Sequence, residues 1–250
     1  QLRAAQILAV LRQKMFRQVC QQSIDAVDPN GVNIDPPVGE SYKDTATLPP
    51  STFNGREIKA AYYAMIELLD DQFGRLVDYL DNIGQLENTL IVFHSDHGEM
   101  LGDHGLLYKG CRFFEGLVHV PLMFFWKGQF KSGQVSDALV EIVDVAPTLL
   151  EAAGLEVPYF MQGKSLNSML RGEADPSHHK KSVVTEFNDA LGSAKHSMPT
   201  HGTMNFDGRY KTIVYHGLNL GELFDLQEDP GECNNLWDNT DFQELKLGLL

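Results

Sequence analysis

The sequence predicts an α/β layered domain followed by a small antiparallel-sheet subdomain, and three observations carry that reading. A short β-branched run, Thr89 to Phe93 (TLIVF), follows a long amphipathic segment that ends near Gly84. A second apolar run, Val118 to Trp126, precedes another helical segment through Leu150. Toward the carboxy end, β-rich runs flank Asp207-Gly208, a strong hairpin signal. Helix, strand, polar loop, strand and helix in alternation indicate α/β layers. The 250 residues, 43% hydrophobic and 10% aromatic, suffice for a large domain with a substantial core and exclude a disordered chain.

Taken in order, Gln1 to Gln22 spaces Ile7, Leu8, Leu11, Met15 and Val19 as a helix would. Asp28 to Pro50, rich in proline and glycine, reads as an irregular surface segment. Asn54 is a helix N-cap with Glu57 completing a capping box, and Ala61, Met65, Leu68, Leu69, Leu76 and Leu80 define one apolar face. The continuous run Thr89 to Phe93 suits a strand buried on both faces of a parallel sheet. Asp144 reads as the N-cap of a helix with Pro147 in its first turn and Gly154 after its end. Lys181 to Phe187, Thr203 to Phe206, Tyr210 to Tyr215 and Glu222 to Leu226 read as strands, with a turn at Asp229-Pro230-Gly231. Phe242 to Leu250 begins a helix and stops without a cap, as an element cut short would. The divisions expected are residues 1–53, 54–180 and 181–250.

A formal charge of -14, from 20 Lys+Arg against 34 Asp+Glu, argues against a nucleic-acid surface. No apolar run reaches the ~18–20 residues needed to cross a bilayer. The first residues mix Arg3, Arg12, Lys14 and Arg17 with scattered apolar positions and lack the pattern of a signal peptide. Three cysteines match neither a zinc ribbon nor a disulfide scaffold, which leaves the redox compartment open.

The loop after Phe93, HSDHGEMLGDHGLLYKG from His94 to Gly110, sits where α/β sheets bind ligands, beyond a strand's carboxyl end. It is rich in ligand atoms: His94, Asp96, His97, Glu99, Asp103 and His104. Adjacent Asp96 and His97 can address one cation if the chain turns at Gly98. A carboxylate and an imidazole suit calcium, magnesium or manganese with further oxygen ligands, or zinc. Lys109 can share an anion with such a cation, and Arg112 is the second candidate for that task.

The string SDHGEMLGDHGLLYKG resembles a signature region of the sulfatase family, within the alkaline-phosphatase-like superfamily. Further matches stand in the expected order: AAYYAMIELLDDQFGRLVDYLDNIGQLENTLIVF, HVPLMFF, DVAPTLLEAAG, GKSL, DGRYKTIVY and ELFDLQEDPGECNNL. The resemblance covers Asn54 to the end, and YKDTATLPP from Tyr42 more weakly. It implies an alkaline-phosphatase-like sandwich, a mixed sheet flanked by helices, with a small carboxy-terminal antiparallel sheet. It also implies metal-assisted hydrolysis of sulfate esters, with a formylglycine nucleophile made from Cys or Ser in a Cys-x-Pro-Ser-Arg type motif. The cation, most often calcium, would be held by two amino-terminal aspartates and an Asp-Asn or Asp-His pair. Asp96 and His97 stand where that pair belongs, Lys109 where the family keeps a sulfate-binding lysine, and His94 and His104 lie close by in the loop. The implied substrate is a small-molecule or saccharide sulfate ester. Family members are often periplasmic, secreted or lysosomal.

This sequence departs from the family pattern at several points. Cys20, Cys111 and Cys233 are followed by QQSI, RFFE and NNLW, so no nucleophile motif occurs. Asp70-Asp71 falls inside the strong helix, not on an early strand, and no histidine precedes His94. Residues 1–41 show no clear family counterpart. The chain therefore resembles the carboxy-terminal portion of a sulfatase whose amino-terminal half lies elsewhere, inactive alone. Two alternatives stay open: a phosphonate or phosphate ester hydrolase of the same superfamily, or a non-catalytic member that keeps the fold. Candidate specificity loops are Gly128 to Ser136 and the stretch from Asn188 through Thr203, with Lys195, His196 and His201.

Overall fold

The computed structural model describes residues 55–106, 109, 112–188 and 201–250. The expected helix over Gln1 to Gln22, the segment Asp28 to Pro50, the Asn54 cap, Cys20, Cys111, and Lys195 with His196 lie outside the described residues.

Helix α1 (Gly55–Asn82) ends ahead of Gly84, whose φ of +68° suits glycine at a helix terminus. Its facing differs from the expected one. Met65, Leu68, Leu69 and Leu76 are between 52% and 60% exposed. The side turned inward carries Tyr62, Ile66, Phe73, Val77 and Leu80. Phe73 meets Phe93 edge-on with centroids 5.7 Å apart. The helix bears two apolar stripes at helical spacing, and periodicity does not say which one meets the strand.

Strand β1 (Ile91–His94) pairs with β2 (Leu122–Phe125) in antiparallel register, Ile91 opposite Phe125 and His94 opposite Leu122. The continuous apolar run had pointed to a parallel neighbour, which is not what it meets here. Such a run reports burial on two faces and carries no information on direction. Val118, expected to open the second strand, instead closes the single-turn helix α2 (Glu115–Val118).

Helix α3 (Val145–Ala152) follows, with Gly154 at φ +73° after it. Asp144 precedes α3 but caps it with no side-chain hydrogen bond. Its carboxylate accepts from the Glu141 and Lys164 amides, at 3.0 and 2.7 Å, and from Lys180 at 2.8 Å. Lys164 lies in the GKSL stretch, which is thus pinned to the start of α3. A short α4 (Asn167–Arg171) comes next.

The carboxy-terminal subdomain is a meander of β3 (Val183–Asn188), β4 (His201–Phe206), β5 (Tyr210–Tyr215) and β6 (Leu220–Asp225), all antiparallel. At the β4–β5 turn the Asp207 amide donates to the Tyr210 carbonyl at 3.2 Å. Gly208 has φ +100° but Asp207 does not share a positive φ, so the Asp-Gly pair does not form the expected turn with both residues left-handed. One positive φ at the first central residue is the type II′ pattern. Asp207 contributes by accepting the Arg209 and Tyr210 amides at 2.9 and 2.7 Å. Helix α5 (Gln243–Leu249) closes the chain.

Phe113, Met204, Ile213, Tyr215 and Phe224 form the buried core, with Phe114, Val118, Phe187 and Phe206 packed against it. The core thus unites the sheet with the segment just after the ligand-rich loop. No helix among the described residues is long and apolar enough to cross a membrane.

Candidate functional site

Past the end of β1, Ser95 Oγ donates to the His97 carbonyl at 2.7 Å and tightens the turn. The His97 amide donates to Asp96 Oδ1 at 3.0 Å, which, with the adjacent imidazole, holds the Asp96 carboxyl below its ordinary range. The Asp96 side chain is 84% exposed. His97 Nδ1 lies 2.8 Å from the Gly98 carbonyl, an acceptor only, so Nδ1 carries the proton and Nε2 keeps its lone pair. Lys109 Nζ donates to that Nε2 at 2.8 Å, and Asp96 Oδ2 lies 3.7 Å from it. Asp96, His97 and Lys109 therefore converge on one point.

Gly98 serves by its size. Its φ is not positive, but a Cβ there would sit 1.9 Å from the Gly116 carbonyl oxygen. That approach lets the Gly98 amide donate to Leu117 O at 2.8 Å and the Glu99 amide to Gly116 O at 3.1 Å. The loop then folds back through Leu101 and Gly102, at φ +48° and +96°.

The other loop residues go elsewhere. His94 is exposed at the end of β1. His104, at φ +53°, stacks on Phe114 with centroids 3.8 Å apart, and burial lowers its pKa. Glu99 and Asp103 face α1, where their charges act on Tyr62 and Tyr63, and burial raises the Asp103 carboxyl. Arg112, the second candidate for the anion, directs its charge at Glu222. Among the described residues no group of three or more His, Cys, Asp and Glu forms a cation cage. Two converging donors remain, a carboxylate oxygen and an imidazole nitrogen whose lone pair accepts from Lys109. Such a donor set fits part of a divalent cation's shell.

Sequence reasoning missed a buried charge cluster behind the loop. Lys211 of β5 is fully buried, and its ammonium donates to Phe113 O at 3.0 Å, Glu115 Oε1 at 2.6 Å and Glu232 Oε1 at 2.7 Å. Burial pushes the Glu115 carboxyl up, but His119 and Lys211 outweigh it and leave it at about 2. Burial raises the Glu232 carboxyl, against the pull of Lys211. Lys211 alternates like an outward strand residue and Glu232 follows a turn signal, so neither advertises burial.

The α/β layer, its appended sheet and the strand-end Asp–His–Lys loop place the chain in the alkaline-phosphatase-like superfamily. Within it, the chain belongs to the sulfatase family. The family profile described as Sulfatase matches residues 16–155, and that described as N-sulphoglucosamine sulphohydrolase, C-terminal, matches residues 102–249. The first match reaches back beyond Tyr42, where the resemblance had become legible. An N-acetylglucosamine-6-O-sulfatase of Bacteroides thetaiotaomicron is 34% identical over 191 residues, covering 76% of this chain and 34% of that protein. The structure of BT4656 in complex with its substrate D-glucosamine-2-N,6-O-disulfate aligns with TM-score 0.66 at 32% identity, covering 75% of this chain and 38% of that one. The phosphonate monoester hydrolase of Agrobacterium radiobacter aligns with TM-score 0.69 at 32% identity, covering 76% and 39%. The chain spans about a third of the length of the curated relatives it matches, 34% and 37% for the first two.

Proposed function

We propose that this chain forms the carboxy-terminal part of a sulfuric ester hydrolase acting on small-molecule or saccharide sulfate esters. The nucleophile comes from amino-terminal residues outside this sequence. The convergence of Asp96, His97 and Lys109 on one point past β1, in a chain of the sulfatase family, carries this reading. Asp96 and His97 would hold a divalent cation, calcium by preference and magnesium or manganese otherwise, which supplies positive charge to the sulfuryl oxygens.

The remaining roles belong to the protein's own groups. The Gly98 carbonyl fixes the proton on His97 Nδ1 and so keeps Nε2 available as a ligand. Lys109 now occupies that lone pair. One lone pair serves one partner, so with Nε2 given to a cation the Lys109 ammonium would be left to face the anion beside it. There it would stabilise charge that grows on the ester as the S–O bond breaks. His94 and His104 are not assigned contacts with the ester.

Three variants of the intact enzyme test the assignment. Asp96→Ala should lose bound metal and activity together; unchanged metal content and rate would remove the claim. Lys109→Ala should lower kcat by about 10²-fold or more while leaving metal affinity intact or tighter, because a competitor for Nε2 is gone. Lys109→Arg should rescue poorly, since a planar guanidinium does not replace a compact point charge. Wild-type kcat in Lys109→Ala would refute the role.

The likeness to a phosphonate monoester hydrolase favours a second reading, hydrolysis of a phosphonate or phosphate ester by the same groups. Measuring kcat/KM of the intact enzyme for an aryl sulfate and the matching aryl phosphonate monoester decides between the two.

A further inference from the structure

We infer that Glu232, acting with Lys211, is a positioning residue for the Asp96–His97 pair: the carboxy-terminal sheet sets the ligand geometry from behind without touching it. The inference rests on the reading of Asp96 and His97 as cation ligands given above.

The path can be followed bond by bond. Glu232 Oε1 accepts from Lys211 Nζ at 2.7 Å, and Glu232 Oε2 accepts from the Glu115 amide at 2.7 Å. That amide opens α2, a helix of four residues that has too few internal bonds to hold itself. Glu115 Oε1 accepts from the same lysine at 2.6 Å, and Lys211 also donates to Phe113 O at 3.0 Å. All three ammonium donors are thus used, and α2 is fixed at its first turn by two residues of the sheet subdomain.

From α2, the carbonyls of Gly116 and Leu117 accept the Glu99 and Gly98 amides at 3.1 and 2.8 Å. The Gly98 carbonyl, on the other side of that residue, accepts a hydrogen bond from His97 Nδ1 at 2.8 Å. A shift of α2 therefore moves the carbonyl that holds the proton on His97 Nδ1. Glu232 itself stands at φ +53°, a left-handed conformation uncommon for a glutamate, and is 4% exposed. Such a conformation persists when its surroundings over-determine it, here through β5 and α2, which share one carboxylate.

The test uses Glu232→Gln in the intact enzyme. An amide offers one acceptor oxygen where the carboxylate uses two, so either Lys211 or the Glu115 amide faces a donor, while shape and volume are kept. Truncating Lys211 would instead leave the buried Glu232 and the partly buried Glu115 without their cation and risk unfolding, so it is not the probe. Two readouts are taken: calcium affinity by titration with the ion alone, and amide hydrogen exchange followed by mass spectrometry. With the circular dichroism unchanged, calcium affinity should fall by about 10-fold or more, as for other groups that orient a ligand from behind. The segment around Gly98 and Glu99 should exchange faster, while β3 and β4 exchange as in the wild type. Wild-type calcium affinity together with wild-type exchange around Gly98 overturns the inference. Faster exchange throughout β3 and β4 also overturns it, because the residue then only stabilises the fold. Asp96→Ala, run beside it, separates the two readings. If that variant keeps its calcium, the ligand assignment fails, and the exchange around Gly98 alone decides the coupling.

Discussion

In β5, Ile213 and Tyr215 are 0% and 1% exposed, whereas in α1 Leu68 and Leu69 are 60% and 59% exposed. Both regions are rich in apolar side chains, but they use them differently. The carboxy-terminal sheet closes its core with its own neighbouring strands and with Phe113 and Phe114 from the segment before α2. The α1 stripe of Met65, Leu68, Leu69 and Leu76 finds little cover among the described residues. The lesson is that the site at the end of β1 leans on the sheet behind it more than on the helix before it. Its loop is tied to α2, and α2 is tied to Lys211 and Glu232.

The sharpest way to break this contrast is Lys211→Met. Removing the ammonium leaves the buried Glu232 and the partly buried Glu115 without their shared partner, and the expected cost is about 3–5 kcal/mol in urea denaturation of the intact protein. A loss below about 1 kcal/mol would show that the cluster does not hold the sheet to the loop.

Paired truncations sharpen it further. Ile213→Ala should destabilise by about 3 kcal/mol through lost burial and the cavity left behind. Leu69→Ala, at a position 59% exposed, should stay within about 0.5 kcal/mol. Equal losses at the two positions would abolish the distinction between the regions.

A smaller effect depends on pH. The folded Glu115 carboxyl, at about 2, lies below its ordinary 4.5. Its contribution is therefore complete above 4.5 and is lost as pH falls from 4.5 toward 2. Glu115→Gln should flatten the fall in stability across that window, measured by denaturant titrations at a series of pH values. A wild-type slope in the variant would place the acid sensitivity elsewhere.

The smallest effect is expected at the sheet's distal turn. Gly208→Ala, at φ +100°, should cost about 1 kcal/mol by thermal unfolding, with the metal site undisturbed. A loss of calcium affinity there would mean that the turn and the site are coupled in a way the bond path does not provide.

The sequence by itself determined the elements whose causes are local. Alternating strands around Asp207-Gly208, the helix ending before Gly84 and the ligand-bearing loop after Phe93 all follow from turn chemistry, periodicity and residue type. Adjacency brought Asp96 and His97 forward as a pair, and the resemblance of their loop to the sulfatase signature added Lys109. Only the tertiary structure decided the rest. The antiparallel pairing of β1 with β2, the stripe of α1 that turns inward and the role of Gly98 as a point of close approach depend on which neighbour arrives. The burial of Lys211 between Glu115 and Glu232 joins residues 96 and 21 positions apart. No local pattern encodes such a meeting: a lysine in a strand looks the same facing water or two carboxylates, and only packing of both sheet faces removes the water.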